Sequence, residues 1–250
     1  MEEWYHYPLL VLVGFVVGFI NTLAGGGSLL SLPILIFVGL PSNVANGTNR
    51  VAIIVQTALA TAGFKSKGVS TAPFNIYLGI SAFFGSIIGA YIAVDVSGEL
   101  FNRILAIVMI LVVTVIVLSP KMGKGPMEER LTGKYLWLGV IVFFFFGIYG
   151  GFINAGLGFL MILFLHYVNR MSLVRVNATK VAVVFMYMLS ALAVFAYNDK
   201  VNWGVGLVLA LGNGTGAWVA SRVSVRKGDG FIKFFLVVMV VAMAVKLWFF

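Results

Sequence analysis

Apolar runs broken by polar or charged residues divide this chain into ten segments. They fall at 8–24, 27–41, 44–64, 74–94, 101–119, 135–154, 157–168, 173–197, 202–220 and 231–250. A helix crossing the hydrocarbon core of a bilayer needs about 20 residues, range about 17–25. Eight segments reach or approach that length, which predicts an all-α polytopic membrane protein. Segments 2 and 7 are too short. Each follows a glycine-rich break, Ala24-Gly25-Gly26-Gly27 in one case and Gly156-Leu157-Gly158 in the other. That pattern predicts short broken or re-entrant helices, because unwound backbone survives at membrane depth only beside protein or a water-filled cavity. Pro33 and Pro41 are expected to break and end segment 2.

The pattern also repeats. Gly18-Phe19-Ile20-Asn21 aligns with Gly151-Phe152-Ile153-Asn154, Gly14 with Gly147, and Gly25 with Gly158. Further on, Asn46-Gly47-Thr48 aligns with Asn177-Ala178-Thr179, and a one-residue gap puts Arg50 on Lys180. Gly85 and Gly89 match Gly212 and Gly216. Five segments therefore recur as five. The expected organisation is a single transmembrane domain, with a first repeat at 8–119, a cytoplasmic linker at 120–134 and a second repeat at 135–250. An odd number of segments per half makes the second half enter from the opposite side, so the repeats are expected to be inverted.

Composition agrees with the class. Of 250 residues, 61% are hydrophobic and 10% charged. Soluble domains average about 45–50% and about 25%. The chain has no cysteine, which excludes disulfides, thiolate metal sites and cysteine nucleophiles. Its two histidines, His6 and His166, lie far apart, so neither a metal site nor a cofactor is expected. His166, ending segment 7, reads as an interfacial residue. The N-terminus lacks a basic region, so the first apolar run reads as a retained membrane segment.

The net charge of +9 would suggest nucleic acid in a soluble protein; here its distribution explains it. With the N-terminus outside, the inside loops carry Lys65, Lys67, Lys121, Lys124, Arg130, Lys134, Arg170, Arg175, Arg222, Arg226 and Lys227. The outside loops carry only Lys200 as a clear base. The positive-inside rule then sets the orientation. The expected partners are a small anion and membrane lipid, not nucleic acid. A homodimer stays open.

Candidate chemistry lies where segments 3 and 8 begin. Asn46 and Arg50 are four apart, and Asn177 and Lys180 three apart, so each amide shares a helix face with its cation. Thr48, Asn49 and Thr179 stand beside them. The same faces continue to Gln56, Thr57 and Tyr187. A cation inside a bilayer is costly and usually faces an internal cavity, although a side chain near a helix start can instead reach the interface. All eight acids lie in the N-terminus or in loops. Buried cations without buried acids should attract an anion, Arg50 as a planar fork and Lys180 as a point charge. Gly25, Gly26, Gly27 and Ser28 precede a short helix whose free N–H groups can face that anion. Gly156 and Gly158 offer the same in the other half, with Asn21 and Asn154 beside the two breaks. For Gly14, Gly18, Gly85 and Gly89, close helix packing is the simpler role.

These residues also resemble a known family. Gly25-Gly26-Gly27-Ser28 followed by Pro33, then Gly39-Leu40-Pro41 and Ala45-Asn46-Gly47-Thr48, is similar to the sulfite exporter TauE/SafE family of bacterial membrane proteins. The duplicated organisation carries the resemblance across essentially the whole chain. The second half has no proline matching Pro33. The resemblance implies an exporter of sulfite or a short organosulfonate in the cytoplasmic membrane. The expected function is therefore a non-enzymatic transporter of a small oxyanion, working by alternating access between the repeats. A passive anion channel and a non-transporting assembly subunit are the alternatives.

Overall fold

The computed structural model describes residues 6–118 and 128–238. Among these residues it is all helical. Nine helices have defined ends: α1 His6–Ala24, α2 Ser28–Phe37, α3 Ser42–Lys65, α4 Phe74–Asp95, α5 Gly98–Leu118, α6 Gly133–Phe152, α7 Leu157–Tyr167, α8 Leu173–Tyr197 and α9 Trp203–Lys227. A tenth, α10, occupies 229–238. Each helix falls on one of the ten apolar segments. Lys121, Lys124, linker residues 120–127 and the end of the tenth segment lie outside the described residues.

By length and composition α1, α4, α6 and α8 can each cross a membrane. α2 and α7 have 10 and 11 residues. At 1.5 Å per residue they are about 15 Å long, half of a ~30 Å hydrocarbon core, so neither spans it alone. Pro33 does not break α2, which runs through it to Phe37. Its ring removes one donor from a helix otherwise held by Leu32 and Leu35, both fully buried.

Local chemistry sets the other boundaries. Pro41 and Pro73 stand immediately before α3 and α4. Ser172 and Asn202 cap α8 and α9, accepting from the Arg175 and Val205 N–H groups. Asp229, at the start of α10, accepts from the backbone N–H groups of Leu173 and Val174 at 3.0 Å each. A carboxylate there satisfies orphan donors and opposes the positive helix end.

Glycine governs the main packing. α1 lies on α9, with Gly14 and Gly18 against the backbone of Leu209–Asn213, and Gly212 and Gly216 against Val11 and Phe15. α4 lies on α6 in the same manner, Gly85 and Gly89 meeting Phe144 and Ile148, Gly147 and Gly151 meeting Ala82 and Ser86. α3 packs on α9 and α8, and α8 packs on α4. The small-residue stripes thus serve close approach. This framework holds the ends of α1 and α6, and the breaks after them, in the middle of the molecule.

Candidate functional site

Both breaks depend on backbone that turns the wrong way for a helix. Gly25 has φ +80, Gly156 φ +72 and Asn154 φ +56. Glycine adopts this region freely, and asparagine more readily than other side chains. Released from α1 and α6, the two breaks cross and touch. A Cβ on Gly25 would sit 2.5 Å from the Gly158 carbonyl carbon.

The break asparagines are fixed by side chains of the long helices. Asn21 donates to Gln56 Oε1 at 3.1 Å and accepts from the Gly27 N–H at 3.0 Å. Asn154 donates to Ser28 Oγ at 3.1 Å and accepts from the Tyr187 hydroxyl at 2.5 Å. Ser28 and Gly27 therefore orient asparagines at the start of α2.

Arg50 and Lys180 lie about 12 and 10 Å along α3 and α8 from their first residues. They are 1% and 2% exposed, so neither reaches an interface. Each grips the last turn of a helix from the other half of the chain. Arg50 donates from Nη1 to the Gly150 carbonyl at 3.2 Å and from Nη2 to the Gly151 carbonyl at 2.5 Å and to Asn46 Oδ1 at 3.3 Å. Its guanidinium lies 4.4 Å from the centre of the Phe195 ring. Asn46 donates to the Phe152 carbonyl at 2.8 Å. Lys180 donates to the carbonyls of Asn21 at 3.1 Å and Thr22 at 3.0 Å, and to Asn177 Oδ1 at 2.8 Å. Asn177 donates to the Leu23 carbonyl at 3.0 Å. Both cations thus sit at negative helix ends, which offsets part of their burial cost. Of the acids in the described residues, none is buried.

Beyond that shared role the two cations differ. A cavity of about 20 Å³ opens between the breaks, lined by Asn21, Gly25, Gln56, Thr57, Asn154, Gly158, Lys180, Val181 and Val184. It has room for about one water. Asn21 and Gly158 are partly exposed; the rest of the wall is buried. Arg50 does not line it. On its side Tyr187 and Phe195, both fully buried, fill the space, and Tyr187 lies against Gly150.

Of the residues singled out in the sequence, Asn21, Gly25, Gln56, Thr57, Asn154, Gly158 and Lys180 meet at this cavity. Arg50, Asn46 and Asn177 do not line it. Thr48 instead accepts from the Asn202 N–H at the start of α9, and Thr179 donates to the Arg175 carbonyl within its own helix. Asn49 is buried, and its side-chain oxygen has no partner. Gly26 lies in the break, and Gly156 forms the left-handed start of α7. Val181 and Val184 carried no signal in the sequence. Neither did Asn213 on α9, which is fully buried and has neither amide atom paired among the described residues. His166 is buried in protein, its Nδ1 2.9 Å from the Met171 carbonyl oxygen.

The sulfite exporter TauE/SafE family profile matches residues 10–247. The chain belongs to this family. A probable membrane transporter protein of Haemophilus influenzae is 28% identical over 239 residues, covering 96% of this chain and 93% of the relative. Probable membrane transporter protein ORF9 of a Sinorhizobium species is 28% identical, covering 95% and 90%. Probable membrane transporter protein YfcA of Escherichia coli is 28% identical, covering 96% and 88%. No solved structure matches the chain. The TauE/SafE chain is thus an integral membrane protein of a transporter family.

Proposed function

We propose that this TauE/SafE chain exports a small sulfur oxyanion, sulfite or a short sulfonate, across the bacterial cytoplasmic membrane. The observation that carries the reading is the cavity where the two breaks meet. It is polar, lined by a buried ammonium and free of acids. The flanking asparagines and the starts of α2 and α7 add hydrogen-bond donors and positive helix ends.

Transport proceeds by alternating access of two inverted repeats, 8–119 and 135–250, joined by a cytoplasmic linker at 120–134. Two features support this. α1 packs on α9 as α6 packs on α4, which is the pairing expected when the halves exchange roles. Gly25 and Gly158, aligned in sequence, touch each other, as residues beside a two-fold axis must. A cavity of about 20 Å³ is too small for an oxyanion, so the halves must part to admit one. That favours a transporter over an open channel.

The N-terminus lies outside, which puts the basic loops in the cytoplasm. An inside-negative potential then drives anion export by about 2.3 kcal/mol per charge per 100 mV. The test is flux from proteoliposomes loaded with sulfite, a short sulfonate or a carboxylate. Saturable flux of sulfur oxyanions, lost in Lys180→Gln, is the expected result. Equal flux in wild type and Lys180→Gln would overturn the role of the cavity.

A further inference from the structure

Among the described residues, one cation lines the cavity. Lys180 lines it, while the guanidinium of Arg50 is turned to the end of α6 beside Phe195. The remaining polar wall, Asn21, Gln56, Thr57 and Asn154, is neutral. The three N–H groups of Lys180 are held by the carbonyls of Asn21 and Thr22 and by Asn177 Oδ1, all neutral acceptors, so its charge is softened but not cancelled. Lys180 is therefore the one full positive charge that the described residues offer a ligand, with the starts of α2 and α7 adding only partial ones. An apolar strip, Val181 and Val184, completes the wall.

We infer that this site selects monoanions: bisulfite and alkanesulfonates enter, while the sulfite dianion and sulfate are refused. The inference rests on the transport reading above and narrows its substrate. One negative charge is matched by Lys180. A second would be left in a buried, low-dielectric site with neither counterion nor bulk water, which weakens binding about a hundredfold. The valine strip stands on the same α8 wall as Lys180, so it suits a ligand with an apolar or uncharged patch beside its charged oxygens. Sulfite interconverts with bisulfite near neutral pH, so each sulfite leaves with one proton bound to itself. That proton needs no carboxylate relay in the protein, and none of the described acids is buried.

The test uses the full chain in proteoliposomes at a clamped potential. Sulfite efflux is measured across neutral pH, once at constant bisulfite and once at constant dianion concentration. Methanesulfonate and sulfate serve as a fixed monoanion and a fixed dianion, and the methanesulfonate profile corrects for any titration of the protein. The expected sulfite rate stays level at constant bisulfite and falls about tenfold per pH unit at constant dianion. Sulfate is expected to move about a hundredfold more slowly than methanesulfonate. The reverse sulfite pattern, or sulfate as fast as methanesulfonate, overturns monoanion selection and leaves the transport reading standing. No flux of any of the three overturns both.

Discussion

Replacing Gly25 by alanine tests whether the two breaks meet as described. A Cβ there would lie 2.5 Å from the carbonyl carbon and 2.6 Å from the Cα of Gly158. Carbon atoms prefer about 3.5–4.0 Å, so the overlap is about 1 Å. Both atoms belong to backbone at the start of α7, and no rotamer change relieves the clash. Overpacking of this kind costs about 1–3 kcal/mol. The left-handed φ of +80 adds about 1–2 kcal/mol for any residue with a Cβ. The total is about 2–5 kcal/mol. Gly39→Ala separates the two contributions, because Gly39 has φ +96 and open space around it. It carries the backbone cost alone. Thermal unfolding in detergent, compared for wild type and both variants, gives the difference. Gly25→Ala should melt below Gly39→Ala by roughly 2–4 °C for each kcal/mol of contact. Equal melting temperatures for the two variants would refute contact between the breaks.

Four further outcomes follow from named residues. Lys180→Met leaves the carbonyls of Asn21 and Thr22 without that donor, so saturable flux should vanish. Lys180→Arg, which keeps the charge, should retain measurable flux, and its complete loss would count against a purely electrostatic role. Asp229→Ala removes the acceptor at the start of α8 and should destabilise the chain by about 0.5–2 kcal/mol, read as a lower melting temperature that 1 M salt barely changes further. Asn213→Leu exchanges an unpaired buried amide for an apolar side chain of similar size and should stabilise by about 1–3 kcal/mol. A lowered melting temperature would mean that the amide has a partner essential to the fold.

Much of this protein was legible along the chain. Segment positions followed from runs of apolar residues, because a bilayer leaves the backbone few options besides helix. The glycine breaks and the short helices after them were equally plain, since a lone glycine run beside an apolar stretch of half-membrane length has few other readings. Arg50 and Lys180 were visible as buried charges for the same reason. Pro33 misled, because proline weakens a helix locally, while the buried leucines of α2 hold it through tertiary packing.

The assignment of work to each residue was not written in the local pattern. Asn46 with Arg50 and Asn177 with Lys180 present nearly the same motif, yet of the two cations Lys180 alone lines the cavity between the breaks. The difference lies in what packs opposite: Tyr187 and Phe195 fill the space beside Arg50, while Gln56, Thr57 and the small breaks leave room beside Lys180. Likewise, both cations hold carbonyls some 100 or more residues away in the chain, Gly151 for Arg50 and Thr22 for Lys180. Hydrophobicity and backbone conformation are properties of a segment and can be read from it. Cavity walls and hydrogen-bond partners belong to surfaces brought together from both halves, so the tertiary structure alone decided them.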